Sequence, residues 1–134
     1  MKSHFILYVA NQKTSARFYS RVLDREPSLD VPGMTEFALA EDAILGLMPA
    51  SGVKRLLGDR LPDLEAGLGT SKAELYLLVD DAASYHSRAI ACGARELSAL
   101  RSRDWGHDVA YSLDSDGHVL AFAQASREAG ELGR

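Results

Sequence analysis

The 134-residue chain contains one cysteine, Cys92, and one tryptophan, Trp105. A lone cysteine closes no internal disulfide, and without a Cys-x-x-Cys pair there is no thiolate set for a structural zinc. A reducing, cytoplasmic setting is the simplest expectation. Long hydrophobic runs are missing too: the apolar stretch from Phe5 ends at Asn11, too short for a secretory core or a bilayer span, so no membrane partner is expected. Positive charge is in short supply. Lys and Arg number 15 against 19 Asp and Glu, a formal net charge of −4, and the basic face that a phosphate backbone requires is not available, so no nucleic-acid partner is expected. What remains is ordinary: 46% hydrophobic and 25% charged residues fit one globular domain with no room for separate catalytic and regulatory parts.

Along that domain, strand and helix signals alternate. His4 to Ala10 reads as a buried strand, and Asn11 offers a cap for a helix from Gln12 to Leu23, whose Ala16, Tyr19, Val22 and Leu23 recur at helical spacing. Pro27 is expected to close that helix. Three short strands follow, Ser28 to Val31, Thr35 to Ala40 and Ala43 to Met48. The connector to Lys72, with Pro62 and four glycines, argues against a regular element over its length, apart from one helical turn around Val53, Leu56 and Leu57. Then the order recurs. Glu74 to Val79 is strand-like, Asp80 or Asp81 caps a helix to Cys92, and Gly93 stands where a left-handed stop is wanted. Arg95 to Leu100, Asp108 to Leu113 and His118 to Gln124 supply three more strands, the last two joined by Asp114-Ser115-Asp116-Gly117.

The recurrence extends to identities. Aligning Glu74 with His4 places Leu77 on Leu7, Val79 on Val9, Arg95-Glu96 on Arg25-Glu26 and Ser98 on Ser28. A slightly longer offset places Leu120-Ala121-Phe122 on Leu45-Gly46-Leu47 and Ala125-Ser126 on Ala50-Ser51, the shift that unequal loops produce. The chain is therefore read as a duplication: residues 4–50 and 74–125 form two βαβββ modules, 51–73 connect them, and 126–134 make a frayed polar tail.

Strand parity divides the side chains into two faces. Phe5, Leu7, Val9, Leu45, Leu47, Leu75, Leu77, Val79, Leu120 and Phe122 are almost wholly aliphatic and are expected under the helices. The other parity gives His4, Ile6, Tyr8, Ile44, Gly46, Met48, Glu74, Tyr76, Val119, Ala121 and Ala123. That mixture of apolar, aromatic, small and ionisable residues suits a binding surface.

Phe18-Tyr19-Ser20-Arg21-Val22-Leu23, Glu74-Leu75-Tyr76-Leu77-Leu78-Val79-Asp80, Trp105-Gly106 and Asp114-Ser115-Asp116-Gly117-His118 together resemble the vicinal oxygen chelate superfamily of glyoxalase I, extradiol dioxygenases, fosfomycin-resistance and bleomycin-binding proteins. The resemblance implies an α+β fold, two βαβββ modules forming a curved, cup-like mixed sheet with helices outside, a small-molecule site in the cup between modules, and a homodimer. Members with metal chemistry place a ligand at the start and on the last strand of each module. On this chain those places are His4, Gly46, Glu74 and Ala121, of which only His4 and Glu74 carry a donor, so the expectation is no cofactor or a weakly bound divalent metal ion.

His4 and Glu74 then admit three readings: a structural pair joining the halves, polar contacts or a general acid and base for a ligand, or a metal site completed by substrate. Trp105 lies in a short polar loop, where an indole is costly to expose, and in the antibiotic-binding relatives it resembles, an aromatic there sandwiches a flat ligand. Its alternative is closure of a barrel end or dimer interface. Tyr8, Met48, Tyr76 and Tyr111 join it as expected ligand contacts, and Arg103, like Arg101, is a candidate for an anionic group. His86 and His107 have no spaced partners that make a ligand set, a turn role suffices for His118, and Cys92 lacks a visible base. Two functions stand against each other: a binder of a small organic molecule without a tightly held metal, and a divalent-metal lyase, isomerase or dioxygenase using His4 and Glu74.

Overall fold

β-Branched and aromatic residues open the chain as β1 (Ser3–Val9), followed by α1 (Gln12–Leu23), β2 (Leu29–Val31), β3 (Met34–Ala40) and β4 (Ala43–Pro49). The computed structural model describes residues 1–64 and 73–126. The chain divides into two compact units, Met1–Leu68 and Gly69–Arg134. In the first, the sheet order is β1-β4-β3-β2. β1 runs parallel to β4 and the other pairs are antiparallel, because only the β1-to-β4 link passes through a helix on its way.

The Asn11 side chain accepts the Thr14 N–H at 2.9 Å and starts α1. The helix ends earlier than Pro27, at Asp24, which takes the left-handed conformation (φ 54°) while its N–H donates to the Arg21 carbonyl. Tyr19, Val22 and Leu23 are buried on α1, as are Thr35, Phe37, Leu45 and Leu47 on the sheet. Gln12 pins the helix to that face: its Nε2 donates to the Val31 carbonyl at 2.8 Å and to Thr35 Oγ1 at 2.9 Å, and its Oε1 accepts the Gly33 N–H at 2.9 Å. Phe5 departs from the expected core. It is 54% exposed, because β1 is the sheet edge and α1 packs on β3 and β4.

The connector is more regular than its glycines suggest. α2 (Ala50–Leu57) continues directly from β4 and leads into a 3₁₀ turn at Gly58–Arg60. Val53 anchors the helix by complete burial while Leu56 and Leu57 stay exposed. One buried contact against β4 and β1 thus outweighs weak local propensity.

The second unit repeats the plan. β5 (Glu74–Leu78), α3 (Ala82–Ala91), β6 (Arg95–Ser102), β7 (His107–Leu113) and β8 (Val119–Ala125) form a sheet of order β5-β8-β7-β6, with β5 parallel to β8. Asp81 caps α3 by accepting from the Ser84 N–H and hydroxyl, bonds that hold its carboxyl below the usual range. Gly93 supplies the stop with φ 104°. α3 lies on the Leu120 and Phe122 side of β8: the Tyr85 and Phe122 rings are 5.6 Å apart, and the Ala82 N–H donates to Gln124 Oε1 at 2.9 Å. The Asp114 side chain closes the last hairpin by accepting from the Asp116 and His118 N–H groups. The duplication of strand, helix and three strands is therefore present in both units. Of the tail, Ser126 alone lies among the described residues.

Asp24 is the one described non-glycine residue at positive φ. Asp24→Gly should raise unfolding stability by about 0.5–1 kcal/mol, since relief of the left-handed strain outweighs the added freedom of the unfolded chain; urea denaturation measures it, and a lower midpoint contradicts it.

Candidate functional site

The face of each sheet turned away from its helix carries the chemistry. In the second unit the middle strand β8 presents Val119, Ala121, Ala123 and Ala125 on that face, since side chains alternate. Ala121 is flanked in register by Tyr76 of β5 and Tyr111 of β7, and Ala123 by Leu78 and Val109. Three methyl groups therefore floor a trough between taller neighbours. Tyr76 and Tyr111 pack against the buried patch of Val109, Ala121 and Ala123.

Tyr76 crosses the floor. Its hydroxyl lies 2.5 Å from His107 Nδ1 on β7, and its ring is 5.8 Å from the imidazole. β5 and β7 are two strand spacings apart, about 10 Å, so only small side chains on β8 let the phenol span them. The same hydroxyl accepts the Trp105 Nε1–H at 3.0 Å. An indole N–H only donates, so the Tyr76 oxygen is an acceptor there and its proton remains free to be donated to His107 Nδ1. A neutral His107 that accepts this proton carries its own on Nε2, whereas an Nδ1–H would donate to the same oxygen. Trp105 remains 56% exposed, held in orientation by this bond.

Arg103 and Tyr111 border the trough. The Arg103 guanidinium lies 5.1 Å over the Tyr111 ring, and its Nη2 donates to Ser98 Oγ at 2.8 Å and to the Val109 carbonyl at 2.9 Å. Its Nε is buried without a partner, and among the described residues it has no carboxylate within ion-pair distance. Burial first, and the Glu74 charge second, push the Tyr111 phenol above its ordinary value, with Arg103 opposing them.

The first unit uses the equivalent face differently. Gly46 of β4 lies between Ile6 of β1 and Glu36 of β3 in register. His4 Nδ1 reaches Glu36 Oε2 at 3.4 Å across β4, a partly exposed pair of a kind worth about 0.2–1 kcal/mol. A Cβ at Gly46 would come within 3.2 Å of Ile6 Cγ1 and 3.3 Å of Met34 Sδ, so these two side chains already roof the position. Tyr8 and Met48 are register partners on the same face.

The repeated strand order and the two helix-free faces find their counterpart in known proteins. A family model described as a glyoxalase-like domain matches residues 4–123. The chain belongs to this family, within the vicinal oxygen chelate superfamily. Solved glyoxalase-like structures share its fold. A glyoxalase-related enzyme from Fulvimarina pelagi is 19% identical, with 92% of this chain and 87% of that one covered at a TM-score of 0.76. A glyoxalase/bleomycin resistance protein/dioxygenase family enzyme from Burkholderia phytofirmans PsJN is 16% identical over 92% and 97% of the two chains, TM-score 0.77. One from Nocardioides, a glyoxalase/bleomycin resistance protein/dioxygenase, is 18% identical over 95% and 84%, TM-score 0.71. No curated protein matches the sequence.

The divalent metal of many glyoxalase-like proteins finds a poor donor set here. Among the described residues no three His, Cys, Asp or Glu side chains converge, Gly46 is roofed by Ile6 and Met34, and Ala121 is packed by two tyrosines. The group does not fit the donors present. Of the residues singled out from sequence, Tyr76, Trp105, Tyr111 and Arg103 gather in the second unit, where Glu74 acts on Tyr111. His4, Tyr8 and Met48 belong to the first. Glu36 is not singled out by the sequence reading, and His107 is set aside there for want of a spaced partner. Strand parity applied to β3 and β7, as it was to the other strands, puts both on these faces. His86, the other unplaced histidine, is buried in α3 and bonds Glu96 at 2.8 Å.

Removing the Tyr76 hydroxyl should free the sole indole. Tyr76→Phe should cost about 0.5–1.5 kcal/mol and lower the fluorescence anisotropy of Trp105; unchanged anisotropy would contradict the bond.

Proposed function

We propose that the protein binds a small, flat organic molecule on the helix-free face of its second sheet, without a tightly held metal. The observation that carries this reading is Trp105: an indole 56% exposed yet fixed through its N–H to Tyr76. Exposure leaves much of the ring available, and the hydrogen bond removes beforehand some of the rotational freedom that binding would otherwise cost. Aromatic faces stack with an offset on planar partners, contributing about 0.5–1.5 kcal/mol beyond the area buried. His107 and Arg103 at the edge supply polar contacts that fix the partner's orientation. His4 with Glu36 on the first unit provides a second polar feature, for which no ligand role is required by this reading.

The reading is compatible with the glyoxalase/bleomycin resistance protein/dioxygenase description that solved structures of the same fold carry. It disfavours the metal-dependent lyase or dioxygenase, because the donors are too few. A thermal-shift screen of planar aromatic compounds should return hits that raise the melting temperature of the wild type and lose their effect in Trp105→Ala. Hits that keep their full effect in that variant would place the ligand elsewhere, and stabilisation by divalent ions that disappears in His4→Ala would favour the metal enzyme.

A further inference from the structure

The polar groups around the indole are donors. With the phenol proton directed at His107 Nδ1, the Trp105–Tyr76–His107 chain of bonds runs in one direction, from the indole N–H through the phenol to the imidazole. It therefore ends on an Nε2–H that no acceptor among the described residues takes. Along the same β7 border of the trough, Arg103 is half-buried, stacked on Tyr111 and without a carboxylate partner among the described residues. A guanidinium partly removed from water with no counter-charge is costly to maintain, and an anion brought beside it relieves that cost. Glu74, the carboxylate felt at Tyr111, is exposed at the start of β5 and is left to solvent.

Resting on the binding reading above, we propose that the preferred ligand is a flat organic anion. Its ring lies on Trp105, its carboxylate or phenolate oxygen accepts from His107 Nε2–H, and Arg103 supplies the compensating charge. The net charge of −4 opposes anions at long range, so any preference for them must come from local contacts. The bond to His107 is charge-assisted in such a complex, of the class whose loss weakens binding by about tenfold or more.

The single tryptophan provides the readout, since a ¹H–¹⁵N spectrum of the full chain contains one indole cross-peak. Benzoate, 2-naphthoate and anthracene-9-carboxylate are titrated beside their uncharged primary amides. The expected result is that a carboxylate shifts the indole peak at concentrations about tenfold or more below those its amide needs. His107→Asn keeps an acceptor near the place of Nδ1 for Tyr76 but removes the Nε2–H; it should weaken carboxylate binding by about tenfold or more and amide binding by less, so that most of the preference is lost. Equal affinities for acid and amide overturn the anion proposal and leave the stacking surface standing. A preference that survives in His107→Asn overturns the role of the imidazole. No shift with any member of either series overturns the stacking surface itself.

Discussion

Small side chains on the middle strand of a sheet decide what its neighbours do. In the second unit the methyl groups of Ala121 and Ala123 are low enough for Tyr76 to lie across β8 and meet His107. The rest follows from that crossing: the phenol oxygen is placed where Trp105 can donate to it, the indole is held while exposed, and the imidazole meets the phenol through Nδ1. A longer side chain at Ala123 would force the ring off this path, because close-packed interiors absorb added volume only by displacing neighbours.

The first unit makes the same architectural move with different chemistry. Gly46 takes the place that Ala121 takes in the second, and again side chains from the flanking strands meet across the gap, here His4 and Glu36. One backbone plan, duplicated, thus carries a polar pair in one half and an aromatic relay in the other. In both halves the middle-strand positions where metal-dependent relatives place a ligand are covered by neighbouring side chains, Ile6 and Met34 over Gly46 and the two tyrosines over Ala121.

Much of this could be read from the residues. Asn11, Asp81 and Gly93 act where capping rules put them, and parity identified Tyr76 and Ala121 as sharing a face. The failures have local causes. Pro27 was given a task that Asp24 performs, because a left-handed aspartate is a rarer signal than proline. α2 forms despite its glycine content since Val53 finds a buried contact that no local propensity records. Phe5 is exposed because parity gives a side, whereas burial on that side depends on where the helix lies. His107 looked unattached in sequence, as its partner is 31 positions away and two strands over.

The direction of the hydrogen bonds around Tyr76 is the central claim, and the tautomer of His107 tests it most directly. Long-range ¹H–¹⁵N correlation on the neutral imidazole should show a protonated Nε2 and a bare, hydrogen-bonded Nδ1, and Tyr76→Phe should let the two tautomers exchange. A proton resident on Nδ1 in the wild type would make the phenol oxygen accept from both rings and contradict the account.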